Sequence, residues 1–279
     1  MSKHPASASG FRPQAEETRE AADLLWDCWS LGRRLTAIPD EIRPRTREEG
    51  YAVQALLEQR TAAPLFGWKI AATSKVGQTH INVTGPLAGR LLAEKVIDLS
   101  DRTRHAAAEL RFGVNHMKVV EAEFAFRMGR DLSPREQPYS VDEVLAAVAT
   151  FHPAIEVPDS RFDDFTIVGA AQLIADNACA HQFVLGPATD ADWRALDLVE
   201  HRAIGTAGEL TREGKGANVL GDPRIALAWL ANELSGLRLT LTAGEVVTTG
   251  TCLVPLPIQP GVDVSMDFGV LGRVGVRIT

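Results

Sequence analysis

The stretch that decides the fold reads Val119-Val120-Glu121-Ala122-Glu123-Phe124-Ala125-Phe126. Apolar residues recur at every second position, which predicts a β-strand with one wholly apolar face on a hydrophobic core. The other face carries Glu121 and Glu123, about 6–7 Å apart along the strand. Two like charges at this spacing repel each other unless water or a cation lies between them. The pair is therefore either a solvated strand face or a cation site with oxygen ligands, which suits Mg²⁺ or Mn²⁺.

The composition is that of a globular protein. The chain has 279 residues, of which 45% are hydrophobic and 23% charged, enough for a sizeable core. The net charge of -7 argues against a nucleic-acid partner. The sequence contains no run of about 18 apolar residues, so no membrane span is predicted. The N-terminus lacks the apolar core of a secretory signal. Three widely spaced cysteines form neither a zinc pattern nor a disulfide framework, which favours the cytoplasm.

The chain divides into three predicted regions. Residues 1–14 are expected to form a disordered tail, because they are polar and contain Pro, Ser and Gly. Residues 15–64 are expected to be helical, since a capping box formed by Thr46 and Glu49 follows a first amphipathic pattern. Residues 65–279 are expected to form the main domain.

The first amphipathic pattern runs over residues 16–35 and contains Trp26 and Trp29. Two large aromatic side chains on one helix face either pack inside the protein or form an oligomer contact.

A lysine interrupts the short apolar strand predicted at residues 65–71. Lys69 either extends its ammonium group to solvent from an edge strand or lies near the predicted cation site or a substrate carboxylate. The following stretch, residues 72–89, is rich in Thr, Gly and Ser and is predicted to be a loop.

A third carboxylate, Glu156, lies between two β-branched residues in a strand-like segment. It either faces solvent on an edge strand or faces a specific partner. A second capping box, Ser140 with Glu143, predicts a helix before this strand that extends to Ala149.

The C-terminal part is dominated by strand patterns. Residues 182–209 and 237–279 show short strands separated by Gly, Pro and Asp, typical of an antiparallel β-roll or sandwich. Between them a helix is predicted to begin at Asp222-Pro223 and to end at Gly236. The chain has no glycine-rich nucleotide loop, phosphate loop or nucleophile elbow, so nucleotide binding and serine hydrolase chemistry have no support.

Several short motifs occur in a fixed order. They are Gly67-Trp68-Lys69-Ile70, the strand Val120 to Phe126, Ala154 to Arg161, Ala175-Asp176-Asn177-Ala178, Gly216 to Gly221, and a C-terminal segment from Pro260-Gly261 to Leu271-Gly272. Together they resemble the 2-keto-4-pentenoate hydratases, within the fumarylacetoacetate-hydrolase superfamily. The resemblance extends over roughly residues 15–279.

This resemblance implies an α+β fold: a mostly β roll of the fumarylacetoacetate-hydrolase C-terminal type, with an N-terminal helical region. Residues 65–279 would then be the metal-binding catalytic domain. The implied cofactor is Mg²⁺ or Mn²⁺. The implied ligands are Glu121, Glu123 and Glu156, with Asp159 as the alternative third ligand, and Lys69 matches the family's active-site lysine. A homo-oligomer is also implied.

The implied reaction adds water to a 2-hydroxy-2,4-dienoate, of the 2-keto-4-pentenoate type, to give a 4-hydroxy-2-oxo acid in aromatic-compound catabolism. The same metal site would serve a 2-oxo-3-enoate decarboxylase of the 4-oxalocrotonate type or a C–C bond hydrolase, and the ligand motif does not choose between them. Gly250 and Thr251 are candidate hydrogen-bond donors to the carboxylate of the small 2-keto acid substrate, or form a simple turn.

Two positions depart from the family pattern. Relatives often carry an acidic residue in the loop after the lysine, whereas residues 86–91, around Arg90, contain none. Many relatives have serine where this chain has Cys179. These departures favour a further alternative, a metal-binding paralogue without catalytic activity.

Overall fold

The computed structural model of the protein describes residues 14–100 and 108–279. The predicted N-terminal tail lies outside the described residues, apart from Gln14, with which the first helix begins. The α-helices of the described residues are α1 Gln14–Leu31, α2 Arg47–Ala55, α3 Lys75–His80, α4 Val141–Leu145, α5 Ala170–Ala175 and α6 Pro223–Gly236. In this part of the chain, no helix is long and apolar enough to span a membrane.

Strands form most of the remaining regular structure. They are β1 Gly67–Ala71, β2 Leu87–Leu91, β3 Val96–Asp98, β4 Glu109–Leu110, β5 Val119–Met128, β6 Val148–Val157, β7 Gln182–Leu185, β8 Arg202–Ala207, β9 Leu210–Lys215, β10 Val246–Thr251, β11 Leu256–Pro257, β12 Asp263–Asp267 and β13 Arg273–Ile278. They build two sheets.

The larger sheet has the order β2-β1-β10-β5-β6-β7-β3, with β11 paired to β5. The β1–β10 and β3–β7 pairs are parallel, and the other pairs along this path are antiparallel. The sheet is curled into a half-barrel, so that the strand predicted from the opening stretch lies at its centre as β5. This architecture confirms the predicted mixed fold with a β roll.

The smaller sheet has the order β4-β13-β12-β8-β9 and covers the outer face of the larger one. The apolar face of β5 lies in this core, as predicted, and Val120, Ala122, Phe124 and Phe126 are all 0% exposed. The rings of Phe124 and Phe268 meet edge to face, with centroids 5.1 Å apart, and join the two sheets.

Both predicted capping boxes are present, at Thr46 with Glu49 and at Ser140 with Glu143. The second helix is shorter than predicted. It ends at Leu145, and Val148 already belongs to β6, where it pairs with Met128 of β5. Pairing with a central strand outweighs the local helical pattern at residues 148 and 149.

The prediction of a loop over residues 72–89 is wrong in two places. Helix α3 begins after Ser74, whose hydroxyl accepts a hydrogen bond from the Gly77 N–H. Strand β2 begins at Leu87 and forms one edge of the larger sheet. Helix α2 covers part of this edge, because Gln54 Nε2 donates to the Ala88 carbonyl at 2.8 Å.

Candidate metal centre and active site

Three carboxylates meet on the concave face of the larger sheet. Glu121 and Glu156 are directly paired across β5 and β6, and Glu123 lies two positions further along β5. One oxygen from each carboxylate lies within 4.8 Å of the others. Glu123 is 0% exposed and Glu156 is 1% exposed, while Glu121 is half-buried. The alternative of a solvated strand face is therefore excluded. The edge-strand alternative for Glu156 is excluded too, because β6 lies between β5 and β7.

Few of the oxygens in this carboxylate cluster are satisfied by hydrogen bonds. Glu123 Oε2 accepts from Thr248 Oγ1 at 2.5 Å and from the Gly250 N–H at 2.8 Å. Glu123 Oε1 and both oxygens of Glu156 have no hydrogen-bond partner among the described residues. Buried carboxylate oxygens without partners are costly. They are arranged as ligands of a cation would be.

Lys69 lies beside the cluster. Its Nζ is 3.0 Å from Glu156 Oε1, an ion pair not aligned as a hydrogen bond, and it donates to the Ala178 carbonyl at 2.9 Å. The residue is 3% exposed. Because β1 lies between β2 and β10, the edge-strand interpretation of Lys69 is wrong. Burial lowers the pKa of Lys69, but the attraction of Glu156, then Glu121, outweighs burial and leaves the pKa raised. Lys69 is therefore an ammonium ion at neutral pH.

The charges of the cluster do not balance by themselves. Three ionised carboxylates and one ammonium sum to a charge of two minus. Burial, followed by repulsion from Glu156, raises the pKa of Glu121 to about 7. Burial and the same repulsion raise the pKa of Glu123 well above its ordinary value. A divalent cation would restore neutrality and use the free oxygens, and an all-carboxylate donor set fits Mg²⁺ or Mn²⁺.

The apolar side chains beyond the cluster close the concave face on one side. They are Leu91, Ala125, Ala154, Phe183, Leu185 and Val246, each at most 4% exposed. Among the three carboxylates, Glu121 is the one that is only half-buried.

Three sequence-predicted residues lie elsewhere or have other partners. Asp159, the alternative third ligand, is outside the cluster: it pairs with Arg34 at 2.7 Å and accepts from the His116 N–H at 2.8 Å. Gly250 gives its N–H to Glu123, and Thr251 Oγ1 donates to the Leu253 carbonyl at 2.7 Å. Both donors proposed for the substrate carboxylate are thus used within the protein.

Both positions that depart from the family pattern, Arg90 and Cys179, are buried near the site. Arg90 is a β2 residue with a buried guanidinium, whose Nε donates to Glu58 at 2.6 Å. Cys179 is 9% exposed and lies in the segment that contacts Lys69. Burial, followed by repulsion from Asp176, raises the pKa of the Cys179 thiol to about 12, so the thiol is protonated at neutral pH.

Sequence reasoning missed two contributors to the site. Thr248 holds Glu123, and the Ala178 carbonyl holds Lys69. The glycine in Val246-Val247-Thr248-Thr249-Gly250-Thr251 was the available signal for the first, because glycine inside a strand often marks a bulge. The β10–β5 pairing does shift register between Thr248 and Thr251.

Known proteins resemble this chain in sequence and in fold. The fumarylacetoacetate hydrolase C-terminal family model matches residues 99–279. A 2-keto-4-pentenoate hydratase from Paraburkholderia xenovorans strain LB400 is 34% identical over 253 residues, which are 89% of this chain and 89% of the relative. The chain belongs to the 2-keto-4-pentenoate hydratase family of the fumarylacetoacetate-hydrolase superfamily.

Further similarity agrees with this family. A 2-hydroxyhexa-2,4-dienoate hydratase from Comamonas testosteroni is 29% identical over 259 residues, covering 91% of this chain and 95% of the relative. The solved structure of 4-oxalocrotonate decarboxylase from Pseudomonas putida G7, complexed with magnesium and adipate, superposes with a TM-score of 0.83. It is 23% identical, and the match covers 95% of this chain and 98% of that one, so it supports the fold alone.

Proposed function

We propose that this member of the 2-keto-4-pentenoate hydratase family hydrates a 2-hydroxy-2,4-dienoate to a 4-hydroxy-2-oxo acid, in aromatic-compound catabolism. The observation that carries the proposal is the buried carboxylate cluster, with oxygens that accept no hydrogen bond, beside Lys69 in a chain 34% identical to a named hydratase. With 2-hydroxypenta-2,4-dienoate, the enol proton leaves its oxygen and C5 gains a proton. Water then gives its hydroxyl to C4 and a proton to C3.

We propose Glu121, Glu123 and Glu156 as the ligands of one Mg²⁺ or Mn²⁺ ion. The ion, when bound, supplies Lewis-acid chemistry at the keto oxygen of the substrate. Glu123 is held in place for this role by Thr248 and by the Gly250 N–H, which occupy one of its oxygens and leave the other free.

In this proposal Lys69 places a positively charged hydrogen-bond donor at a fixed position beside the substrate. An ammonium group has three N–H donors, of which one goes to the Ala178 carbonyl, while Glu156 is held by charge without an aligned hydrogen bond. A further N–H is available to the substrate oxygen that becomes negative when the enol loses its proton. A single well-placed donor of this kind is worth about 3 kcal/mol in the transition state.

The test is turnover of 2-hydroxypenta-2,4-dienoate by the purified protein with Mg²⁺ or Mn²⁺, followed as loss of ultraviolet absorbance. Product analysis by NMR should give 4-hydroxy-2-oxopentanoate. Release of CO₂ from a 4-oxalocrotonate-type substrate would instead identify a decarboxylase. Hydrolysis of a carbon–carbon bond in a substrate with a second carbonyl group, to give two acids, would identify a C–C hydrolase. No turnover of these substrates by folded, metal-loaded protein would favour the non-catalytic paralogue.

A further inference from the structure

Three consecutive residues next to the site have an unusual backbone. Asn177, Ala178 and Cys179 have φ angles of 55°, 50° and 61°, in the left-handed region that residues other than glycine rarely adopt. We call these residues the 177–179 turn. Such a backbone persists only where the surrounding contacts hold it, and it occurs often at functional sites.

The side chain of Asn177 makes two of the hydrogen bonds that hold this turn. Its Oδ1 accepts from the Arg90 N–H at 2.6 Å, and its Nδ2 donates to the Arg90 carbonyl at 2.9 Å. Arg90 lies in the edge strand β2, so Asn177 occupies hydrogen-bonding positions that a further strand would otherwise fill. The turn is thereby fixed to the edge of the larger sheet.

Gly89 allows the turn to come this close. A Cβ at Gly89 would lie 2.4 Å from the Asn177 carbonyl oxygen and 3.1 Å from Lys69 Cγ. Because Gly89 pairs with Lys69 across β1 and β2, the turn packs directly over the lysine stem.

This arrangement fixes the position of the Ala178 carbonyl, which accepts a hydrogen bond from Lys69 Nζ at 2.9 Å. One N–H of the ammonium is directed at the Ala178 carbonyl, and the ion pair with Glu156 Oε1 at 3.0 Å keeps Nζ beside the carboxylate cluster. The hydrogen bond to Ala178 therefore limits the directions that the other two N–H groups can take.

We propose that Asn177 is a positioning residue: by fixing the 177–179 turn to β2, it holds the Ala178 carbonyl where that carbonyl orients the Lys69 ammonium. This inference rests on the proposed function only through the role of Lys69. If Asn177 were merely structural, its loss would act on folding and not through Lys69.

A double-mutant cycle separates the two cases. The variants are Asn177→Ala, Lys69→Met and both together, assayed for hydration of 2-hydroxypenta-2,4-dienoate. Asn232→Ala is the matched control, because Asn232 likewise accepts from the Tyr139 N–H at 2.7 Å and donates to its carbonyl at 3.0 Å. It spans helix α6 and the segment before α4, and has no contact with Lys69 among its hydrogen bonds.

We expect Asn177→Ala to lower kcat by roughly ten- to a hundred-fold, since small displacements of a catalytic group have effects of this size. KM should stay within about three-fold, because ground-state binding is unchanged. In the Lys69→Met background the same change should have almost no further effect on kcat. An equal fall in both backgrounds, or an equal fall in Asn232→Ala, would overturn the proposal.

A second readout does not depend on activity. In metal-free, ¹⁵N-lysine-labelled protein, the buried Lys69 ammonium should give a slowly exchanging Nζ–H signal that Lys69→Met lacks. We expect this signal to be lost or shifted in Asn177→Ala and kept in Asn232→Ala. An unchanged signal in Asn177→Ala would contradict the inference, and this remains decisive if the protein hydrates no dienoate. If Asn177→Ala does not fold, Asn177→Gly replaces it, because glycine adopts the left-handed backbone without the side chain.

Discussion

Lys69 Nζ lies 3.0 Å from Glu156 Oε1, and the two side chains are only 4% and 1% exposed. The three carboxylates stabilise the protonated form of the buried lysine, and the lysine in turn lowers the repulsion among the carboxylates. The pair thus links the stability of the site to its chemistry.

Replacing Lys69 by Met tests this link, because the variant keeps the stem and removes the charge. We expect kcat to fall about 100-fold, which corresponds to loss of one donor worth about 3 kcal/mol. Mg²⁺ should bind more tightly, because the ammonium no longer repels the cation. Steady-state kinetics and calorimetric titration measure the two effects. Turnover within a few-fold of wild type would remove the catalytic role of Lys69.

The stability of the metal-free protein should depend on pH in an unusual direction. The folded-state pKa of Glu121 is raised from 4.5 to about 7 by burial and by Glu156. Protonated Glu121 therefore stabilises the folded state fully at a pH below its unfolded-state pKa. This stabilisation is lost as the pH rises through its folded-state pKa. We therefore expect Tm in chelator to fall between about pH 5 and pH 8.

Added Mg²⁺ should reverse this loss at the upper end of the pH range, because the cation replaces the proton. Differential scanning calorimetry with chelator or with Mg²⁺ measures both effects. Glu121→Gln should flatten the metal-free curve. A metal-free Tm that rises between pH 5 and pH 8 would contradict the assignment.

Gly250 should be required for the orientation of Glu123. Its φ is +92°, and a Cβ would lie 2.2 Å from Thr73 Oγ1 and 3.0 Å from the Ile70 carbonyl oxygen. Gly250→Ala should therefore displace the N–H that binds Glu123, weaken Mg²⁺ binding and destabilise the fold by about 1–3 kcal/mol.

Gly244→Ala is the matched control for this change. Gly244 has a φ of +90°, and no atom of the described residues lies within 4 Å of the added Cβ, so it carries the backbone strain without the collision. We expect a loss of stability with unchanged Mg²⁺ affinity, measured by thermal melts and calorimetry. Equal metal affinity in the two variants would mean that Gly250 does not position Glu123.

Local sequence signals predicted the parts of the fold that depend on neighbouring residues. The capping boxes at Thr46 and Ser140 and the helix after Asp222 are present because each is closed by hydrogen bonds within a few residues. Strand β5 was predictable because its alternation reports burial directly.

The remaining parts depend on distant partners. Strand β2 was predicted as loop, since its edge is satisfied by Asn177 and by side chains of α2 that no local pattern reveals. The left-handed turn at 177–179 carries no glycine, and only Asn177 is of a residue type enriched in this backbone conformation, so composition alone does not predict three such residues in a row. The convergence of Glu156 on Glu121 required the register of β5 and β6, which periodicity does not give.

A homo-oligomer remains a prediction of the family resemblance. Trp29 is committed within the chain: its indole N–H donates to His181 Nδ1 at 3.0 Å, and the Arg161 guanidinium lies 4.4 Å from its ring. Half-buried Trp26 is then the better candidate for a contact between chains. Light scattering at micromolar concentration should give a mass above 30.2 kDa, and Trp26→Ala should lower it. A wild-type monomer would reject the prediction.

The central claim is that the carboxylate cluster holds one divalent cation that hydration requires. Calorimetric titration of chelator-treated protein with Mg²⁺ and Mn²⁺ tests it most directly. The matched variants are Glu123→Gln in the cluster and Glu233→Gln, a carboxylate that instead pairs with Arg47 and Tyr51. We expect one ion per chain in wild type and in Glu233→Gln, no measurable binding in Glu123→Gln, and hydratase activity only where the ion binds. Wild-type affinity in Glu123→Gln, or undiminished turnover in chelator, would contradict the account.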